Sequence, residues 1–106
     1  MGGDGQPQPL AAISTRHVVQ SMPLRQAVSA PRWRLGRTWG QSSDSLKLEG
    51  RFSDGTVAAL RDIGHVLEML ADFSEAVGHA GANVRHTNGM MEGAFDPCSN
   101  GSAVGL

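Results

Sequence analysis

The spacing of apolar residues predicts two short helices in the first third of the chain. From about Gln8 to Ser21, apolar side chains recur at intervals that place them on one helical stripe. The stretch SMPLRQAVSAP then predicts a second helix, with Ser21 as its N-cap, Pro23 in its first turn and Pro31 at its end. The stripe of the first helix consists of Leu10, Ile13, Val18 and Met22.

The clearest helical pattern is SDGTVAALRDIGH. Ser53 is a favourable N-cap, and the predicted apolar stripe is Val57, Leu60 and Ile63. Gly64 follows the last turn, where a left-handed backbone is common. This segment therefore predicts a third helix with both ends defined.

Alternating and apolar patterns predict extended segments elsewhere. RWRLGRTWG is predicted to be extended backbone or loop, SLKLEGRF a half-buried strand or a sheet edge, and HVLEML a short strand. HAGANVRH and MMEGAF flank Thr87-Asn88-Gly89, and Asn-Gly predicts a hairpin turn in which both central residues have positive φ. The overall prediction is an α+β fold with about three helices and three to four strands.

Size and composition narrow the possible functions. The chain has 106 residues, which is enough for one domain, and its net charge of -1 with scattered Lys and Arg gives no footprint for nucleic acid. No apolar run is long enough to span a bilayer, so no membrane partner is expected. Its 14 glycines are about twice the usual share, a composition expected of a slice of a larger fold but also found in small independent domains.

The adjacent glycines Gly2 and Gly3 are the strongest candidate site. Consecutive glycines allow successive backbone N–H groups to point into one concavity, where they can stabilise an oxyanion. A helix that begins just downstream adds a favourable potential. The alternative is an unstructured leader or a tight turn, and the residues alone leave both interpretations open.

Other chemistry has little support. The four histidines match no zinc spacing, Cys98 has no cysteine companion, and we expect neither a metal nor a cofactor. The residues of RWRLGRTWG could stack on bases, but they more often bury tryptophans against a sheet while Arg32, Arg34 and Arg37 pair with acids. The small-residue ending after Phe95 is either frayed or approached closely by another part of a larger protein.

Several segments together resemble the C-terminal part of the small subunit of bacterial γ-glutamyltransferases. They are GGDGQPQ, AVSAPRW, GRTWG, LKLEGRFSDGTVAALRDIGH, VGHAGANVRH and EGAFDPCSNGSA. The resemblance implies part of an N-terminal-nucleophile hydrolase, an αββα sandwich, with residues 1–106 as one portion of a domain. It also implies that residues 1–7 form the oxyanion loop, with Gly2 and Gly3 as its donors.

The same resemblance implies partners and a reaction. The nucleophilic threonine would lie upstream, so no catalytic residue is present in this chain, and the partners would be the N-terminal half of the small subunit and the large subunit. The substrate would be a γ-glutamyl compound such as glutathione. The GRTWG segment resembles one bacterial branch of this family, and that resemblance favours a cytoplasmic location for the protein. The alternative is a free-standing, non-catalytic interaction or structural module, which would cover its exposed edges by self-association.

One position departs from the family pattern. The family ending is usually Asp-Pro-Arg, and Cys98 stands at the place of the arginine. If that arginine makes buried ion pairs, its replacement is expected to leave an acid unpaired and to weaken the packing of the C-terminal segment.

Overall fold

The computed structural model describes residues 5–37 and 44–105, which form three α-helices and five strands. The α+β prediction is confirmed, with one strand more than expected because RWRL contributes a strand of its own. The helices are α1 (Pro7–Ser14), α2 (Leu24–Ser29) and α3 (Asp54–Asp62). The strands are β1 (Trp33–Leu35), β2 (Leu46–Glu49), β3 (Leu67–Leu70), β4 (Gly81–Arg85) and β5 (Met91–Phe95). A π-helical turn (Thr15–Val19) follows α1, and a 3-10 turn (Glu75–Val77) precedes β4.

The π-helical turn ties α1 to α2. Arg16 lies in this turn, and its guanidinium donates to the backbone oxygens of Ala27 at 3.4 Å and Pro31 at 2.5 Å. These carbonyls belong to the end of α2 and the residues after it, where backbone oxygens lack helical partners. The prediction of Ser21 as the N-cap of α2 is wrong: Ser21 has φ +55° in the connection between the helices, and the N-cap of α2 is Pro23.

Helix α3 begins as predicted. Ser53 accepts a hydrogen bond from the Thr56 N–H at 3.2 Å, and Gly64 has φ +103° just beyond the helix end. Val57 is buried, but Ile63 is 74% exposed, so its assignment to the buried stripe is wrong. The helix ends at Asp62, and Ile63 at the C-cap has already turned away from the sheet.

A three-stranded sheet with the order β1-β2-β3 packs under α3. β1 is antiparallel to β2, whereas β3 is parallel to β2 and reached through α3. Leu46 and Leu48 point to one face and join Val57 in an apolar cluster, here called the sheet core. β2 is therefore the central strand and is buried on both faces, and its prediction as a half-buried or edge strand is wrong.

The second sheet is the β4–β5 hairpin, as predicted from HAGANVRH and MMEGAF. Its loop differs from the expected turn, because Gly89 has φ +85° while Asn88 keeps a negative φ. His86 N–H donates to Met90 O at 2.8 Å and Gly89 N–H donates to His86 O at 2.9 Å. This pattern fits a three-residue loop with one left-handed glycine.

The inner face of the hairpin completes a second apolar cluster, here called the hairpin core. Ala94 of β5 packs against α1 and α2, and Ala82 and Val84 of β4 lie beside it. Alternate residues of both strands face away from the helices and are exposed. The buried members of the hairpin core are Ile13, Leu24, Ala27, Val28 and Ala94.

The segment after β5 folds back on the outer side of the hairpin. A Cβ atom at Gly101 would collide with the Phe95 ring, and one at Gly93 would lie 3.1 Å from the Cβ of Ala103. The close approach expected for the glycines of this ending is therefore made within the chain itself.

The hairpin loop provides a test of backbone strain. In the protein that carries this chain, Gly89→Ala should destabilise by about 1–2 kcal/mol because of its left-handed backbone. Gly55→Ala in α3 is the matched control, since neither glycine has an atom within 4 Å of an added Cβ and only Gly89 has a positive φ. Urea unfolding would measure both, and equal effects of the two substitutions would contradict the strained loop.

Candidate functional site

Buried charged residues, here called the charged layer, lie on the face of β2 opposite the sheet core. Side chains alternate along a strand, so the residues between Leu46 and Leu48 and beyond must point away from α3. Lys47 and Glu49 are nevertheless almost fully buried, and each has polar partners. The charged layer consists of Arg32, Arg34, Lys47, Glu49 and Asp96.

Arg32 and Asp96 form its central ion pair. Arg32 Nη2 lies 2.6 Å from Asp96 Oδ2, and both side chains are at most 1% exposed. Arg32 directly precedes β1 and Asp96 directly follows β5, so this pair joins the three-stranded sheet to the hairpin. The prediction that arginines of RWRLGRTWG pair with acids is confirmed for Arg32, and also for Arg37, which contacts Asp44 at the surface.

The surroundings of Asp96 keep its carboxylate ionised. Burial alone would raise the pKa of Asp96, but hydrogen bonds from Cys98 and Ala80 and the charge of Arg32 together hold the pKa below its usual value. The backbone N–H groups of Ala80 and Cys98 each donate to this carboxylate at 2.8 Å. Asp96 therefore organises both the entry to β4 and the chain after β5.

Glu49 has its own arginine. Arg51 Nη2 lies 2.6 Å from Glu49 Oε2, while Arg51 Nη1 donates to Ser29 O at 2.6 Å. The Arg51 guanidinium also stacks over the Phe73 ring at 3.8 Å from its centroid, a cation–π contact. Both carboxylates near position 98 are thus paired with arginines, and the expectation of an unpaired acid is wrong.

Cys98 fits between these charges as a neutral thiol. Its Sγ lies 3.2 Å from Arg32 Nη2 and 3.6 Å from Glu49 Oε1. Burial, reinforced by the neighbouring Asp96 carboxylate, raises the pKa of Cys98 to about 12. A thiol held in this state is a poor nucleophile, so Cys98 has a packing role.

The sequence-predicted site lies at the other end of the chain. Gly2 and Gly3 lie outside the described residues, which begin at Gly5, a buried residue two positions before α1. Within the first turn of α1, Gln8 binds β1 through both atoms of its amide. Gln8 Nε2 donates to Leu35 O at 3.0 Å, and the Leu35 N–H donates to Gln8 Oε1 at 2.7 Å.

The histidines do not converge. His17 Nδ1 lies 2.8 Å from Met22 O, and His86 Nε2 lies 3.0 Å from Glu92 Oε2 beside the hairpin loop. Residues 5–37 and 44–105 contain no cluster of three or more His, Cys, Asp or Glu side chains that could hold a metal ion. No helix in the same ranges is long and apolar enough to cross a bilayer.

Comparison with known proteins identifies the family. Residues 1–106 match the Gamma-glutamyltranspeptidase family over their full length. The chain belongs to this family. Its fold is part of the N-terminal-nucleophile hydrolase sandwich, as predicted, and the free-standing module is not favoured.

Two curated relatives and one solved structure define the likeness. The chain is 67% identical over 105 residues to the oxamate amidohydrolase proenzyme of Klebsiella pneumoniae and 44% identical to the glutathione hydrolase-like YwrD proenzyme of Bacillus subtilis. It covers 20% of each relative, with 99% of its own residues aligned. A γ-glutamyltranspeptidase mutant from Pseudomonas nitroreducens has the same fold, with a TM-score of 0.76 and 19% identity over 100% of this chain and 52% of that one.

Sequence reasoning missed the Arg32–Asp96 pair and the Gln8 contact. Arg32 and Asp96 are 64 positions apart in the chain, and local patterns carry no information about which acid meets which arginine. Gln8 lies between Pro7 and Pro9 in a helical turn, where nothing in the sequence marks a strand as its partner. The local signals for these residues are the segments APRW and DP and, for Gln8, the segment GGDGQPQ, all of which the resemblance had already singled out.

The Arg32–Asp96 pair gives a prediction about stability. Asp96→Asn should destabilise the protein by about 3–5 kcal/mol, because it leaves the Arg32 charge buried without a counter-ion. Arg32→Met with Asp96→Leu should destabilise it less, since Arg32 Nε and Nη1 already lack partners among the described residues. Asp44→Asn, which breaks the exposed pair with Arg37, is the control and should change stability by less than about 1 kcal/mol.

The pH dependence of the same variant has a definite sign. The folded-state pKa of Asp96 is lowered, so its stabilisation is fully present above the ordinary carboxyl pKa near 3.9 and is lost as the pH falls through the folded value. The stability difference between wild type and Asp96→Asn should therefore be constant near neutral pH and shrink in acid. Urea titrations across this range would measure it, and a difference that grows in acid would contradict the ionised pair.

Cys98 reactivity is a separate test. The pKa of Cys98 is about 12, whereas the ordinary value is 9.0. At about pH 8 the thiolate fraction of Cys98 should therefore be about 10³-fold smaller in the folded protein than in the unfolded chain. Iodoacetamide should therefore label Cys98 at least that much more slowly in the folded protein than in urea, as followed by peptide mass mapping. Equal labelling rates in the two states would show that the thiol is open to solvent.

Proposed function

We propose that this chain belongs to the small subunit of a proenzyme-derived amide hydrolase that works through a threonine acyl-enzyme. The observation that carries the proposal is the 67% identity, over 99% of the chain, to an oxamate amidohydrolase proenzyme. Oxamate is the first substrate to test. A γ-glutamyl compound such as glutathione is the second candidate, supported by the family and by the 44% identical glutathione hydrolase-like relative.

Both candidate reactions have the same chemical demands. The threonine oxygen attacks the amide carbonyl carbon, and the carbonyl oxygen becomes an oxyanion as the new C–O bond forms. The C–N bond then breaks and ammonia or an amine leaves with a proton, for which the threonine α-amino group is the natural carrier. Water hydrolyses the acyl-enzyme, or an amino acid or peptide accepts the acyl group in a transfer.

In this proposal the chain contributes the oxyanion donors. The Gly2 and Gly3 N–H groups bind the developing negative charge, which forms identically for oxamate and for a γ-glutamyl amide. Support comes from the adjacent glycines themselves and from α1. The N-terminus of α1 is at Pro7 and carries the positive end of the helix dipole, which favours a negative charge nearby. The nucleophile is assigned to a segment upstream of residue 1.

The test uses the complete protein that carries this chain. It should process itself into two subunits, one with an N-terminal threonine, and release ammonia from oxamate or an amine from a γ-glutamyl amide. Gly3→Pro removes one N–H donor and should lower kcat by about 10²–10³. Mass spectrometry and coupled ammonia detection would measure processing and turnover separately.

Gly55→Pro is the matched control for this substitution. Gly55 lies in the first turn of α3, where proline is tolerated because the backbone N–H groups have no helical acceptor. It should leave kcat close to that of the wild type. A processed Gly3→Pro enzyme with normal kcat would contradict the oxyanion assignment, and the absence of a new N-terminal threonine would contradict the acyl-enzyme mechanism.

A further inference from the structure

Gln8 makes a two-point contact with the end of strand β1. Its amide donates to Leu35 O at 3.0 Å and accepts from the Leu35 N–H at 2.7 Å. A primary amide carries a donor and an acceptor side by side, so it mimics the peptide group of a neighbouring strand. The contact connects residues 27 positions apart and fixes the first turn of α1 against the last residue of β1.

The two sides of this contact are themselves held in place. β1 pairs with β2 through Trp33 and Leu48, Arg34 and Lys47, and Leu35 and Leu46. On the helix side, Pro9 and Ile13 are buried, so α1 cannot easily rotate about its axis. Pro7 and Pro9 also restrict the backbone on both sides of Gln8. The amide is therefore a rigid link between two fixed elements.

From this geometry we infer that Gln8 is a positioning residue for the oxyanion donors. The inference rests on the proposed function, since it takes Gly2 and Gly3 as those donors. Only four residues lie between Gly3 and Gln8, and one of them, Gly5, is buried. A helix start that is locked to β1 sets where the preceding glycines can reach. A displacement of about 1 Å at such donors can lower a rate by about 10²-fold.

The deciding substitution is Gln8→Met, which keeps the length of the side chain and removes both hydrogen bonds. In the processed enzyme it should lower kcat about tenfold to a hundredfold while KM changes less than about twofold. Gln26→Met is the matched control, because Gln26 is exposed on α2. It should leave kcat and KM unchanged.

Gln8→Glu adds a readout that a purely structural role would not move. The carboxylate accepts from the Leu35 N–H but repels Leu35 O, whereas the protonated acid offers a donor and an acceptor as the amide does. The ratio of kcat for Gln8→Glu to kcat for wild type should therefore rise as the pH falls toward the carboxyl pKa. The ratio removes the pH dependence of the rest of the enzyme.

Several outcomes would overturn the inference. Normal kcat in Gln8→Met with a lower melting temperature would make Gln8 a structural contact only. Normal kcat with new self-association would mean that Gln8 merely covers the edge of β1. A kcat ratio for Gln8→Glu that does not vary with pH would also count against it. If Gly3→Pro lowers kcat but Gln8→Met does not, the Gln8 role fails while the proposed function stands. If Gly3→Pro has no effect, the oxyanion assignment fails first.

Discussion

The ion pair between Arg32 and Asp96 is the constraint on which the arrangement of this chain depends. The sheet core and the hairpin core are both apolar, but a layer of charge lies between the elements that carry them. Apolar contacts are non-directional, whereas a buried ion pair is favourable only in a narrow geometry. Arg32 and Asp96 therefore determine how the hairpin is oriented against the three-stranded sheet, while the two cores provide most of the stabilisation.

Hydrogen bonds at and near the charged layer also link segments from the N-terminal and C-terminal parts of the chain. Asp96 receives N–H groups from both sides of the hairpin, and Arg16 reaches the end of α2 immediately before Arg32. Gln8 then continues this order to the first turn of α1 through Leu35. These hydrogen bonds hold the segment after β5, the end of α2 and the first turn of α1 against the region of Arg32 and β1.

Local sequence patterns were sufficient where the decisive interaction is local. The Ser53 cap, the left-handed Gly64 and the β4–β5 hairpin all depend on residues within a few positions of each other, and all were predicted. The central position of β2 was not, because its burial on the charged face comes from distant segments that cover Lys47 and Glu49. The assignment of Gly2 and Gly3 as oxyanion donors comes from their adjacency and from the family resemblance, and it stays a prediction. The Gln8–Leu35 contact spans 27 positions, and no periodicity indicates it.

The pairing of Glu49 with Arg51 has a consequence for how this family segment can vary. Glu49 is neutralised by Arg51, which lies two positions away in the sequence. Position 98 therefore does not have to supply a positive charge and can hold a small neutral side chain. Arg32 and Asp96 neutralise each other directly, so we expect a change in one to be tolerated best together with a change in the other. We therefore expect position 98 of the charged layer to vary independently, and Arg32 and Asp96 to vary together.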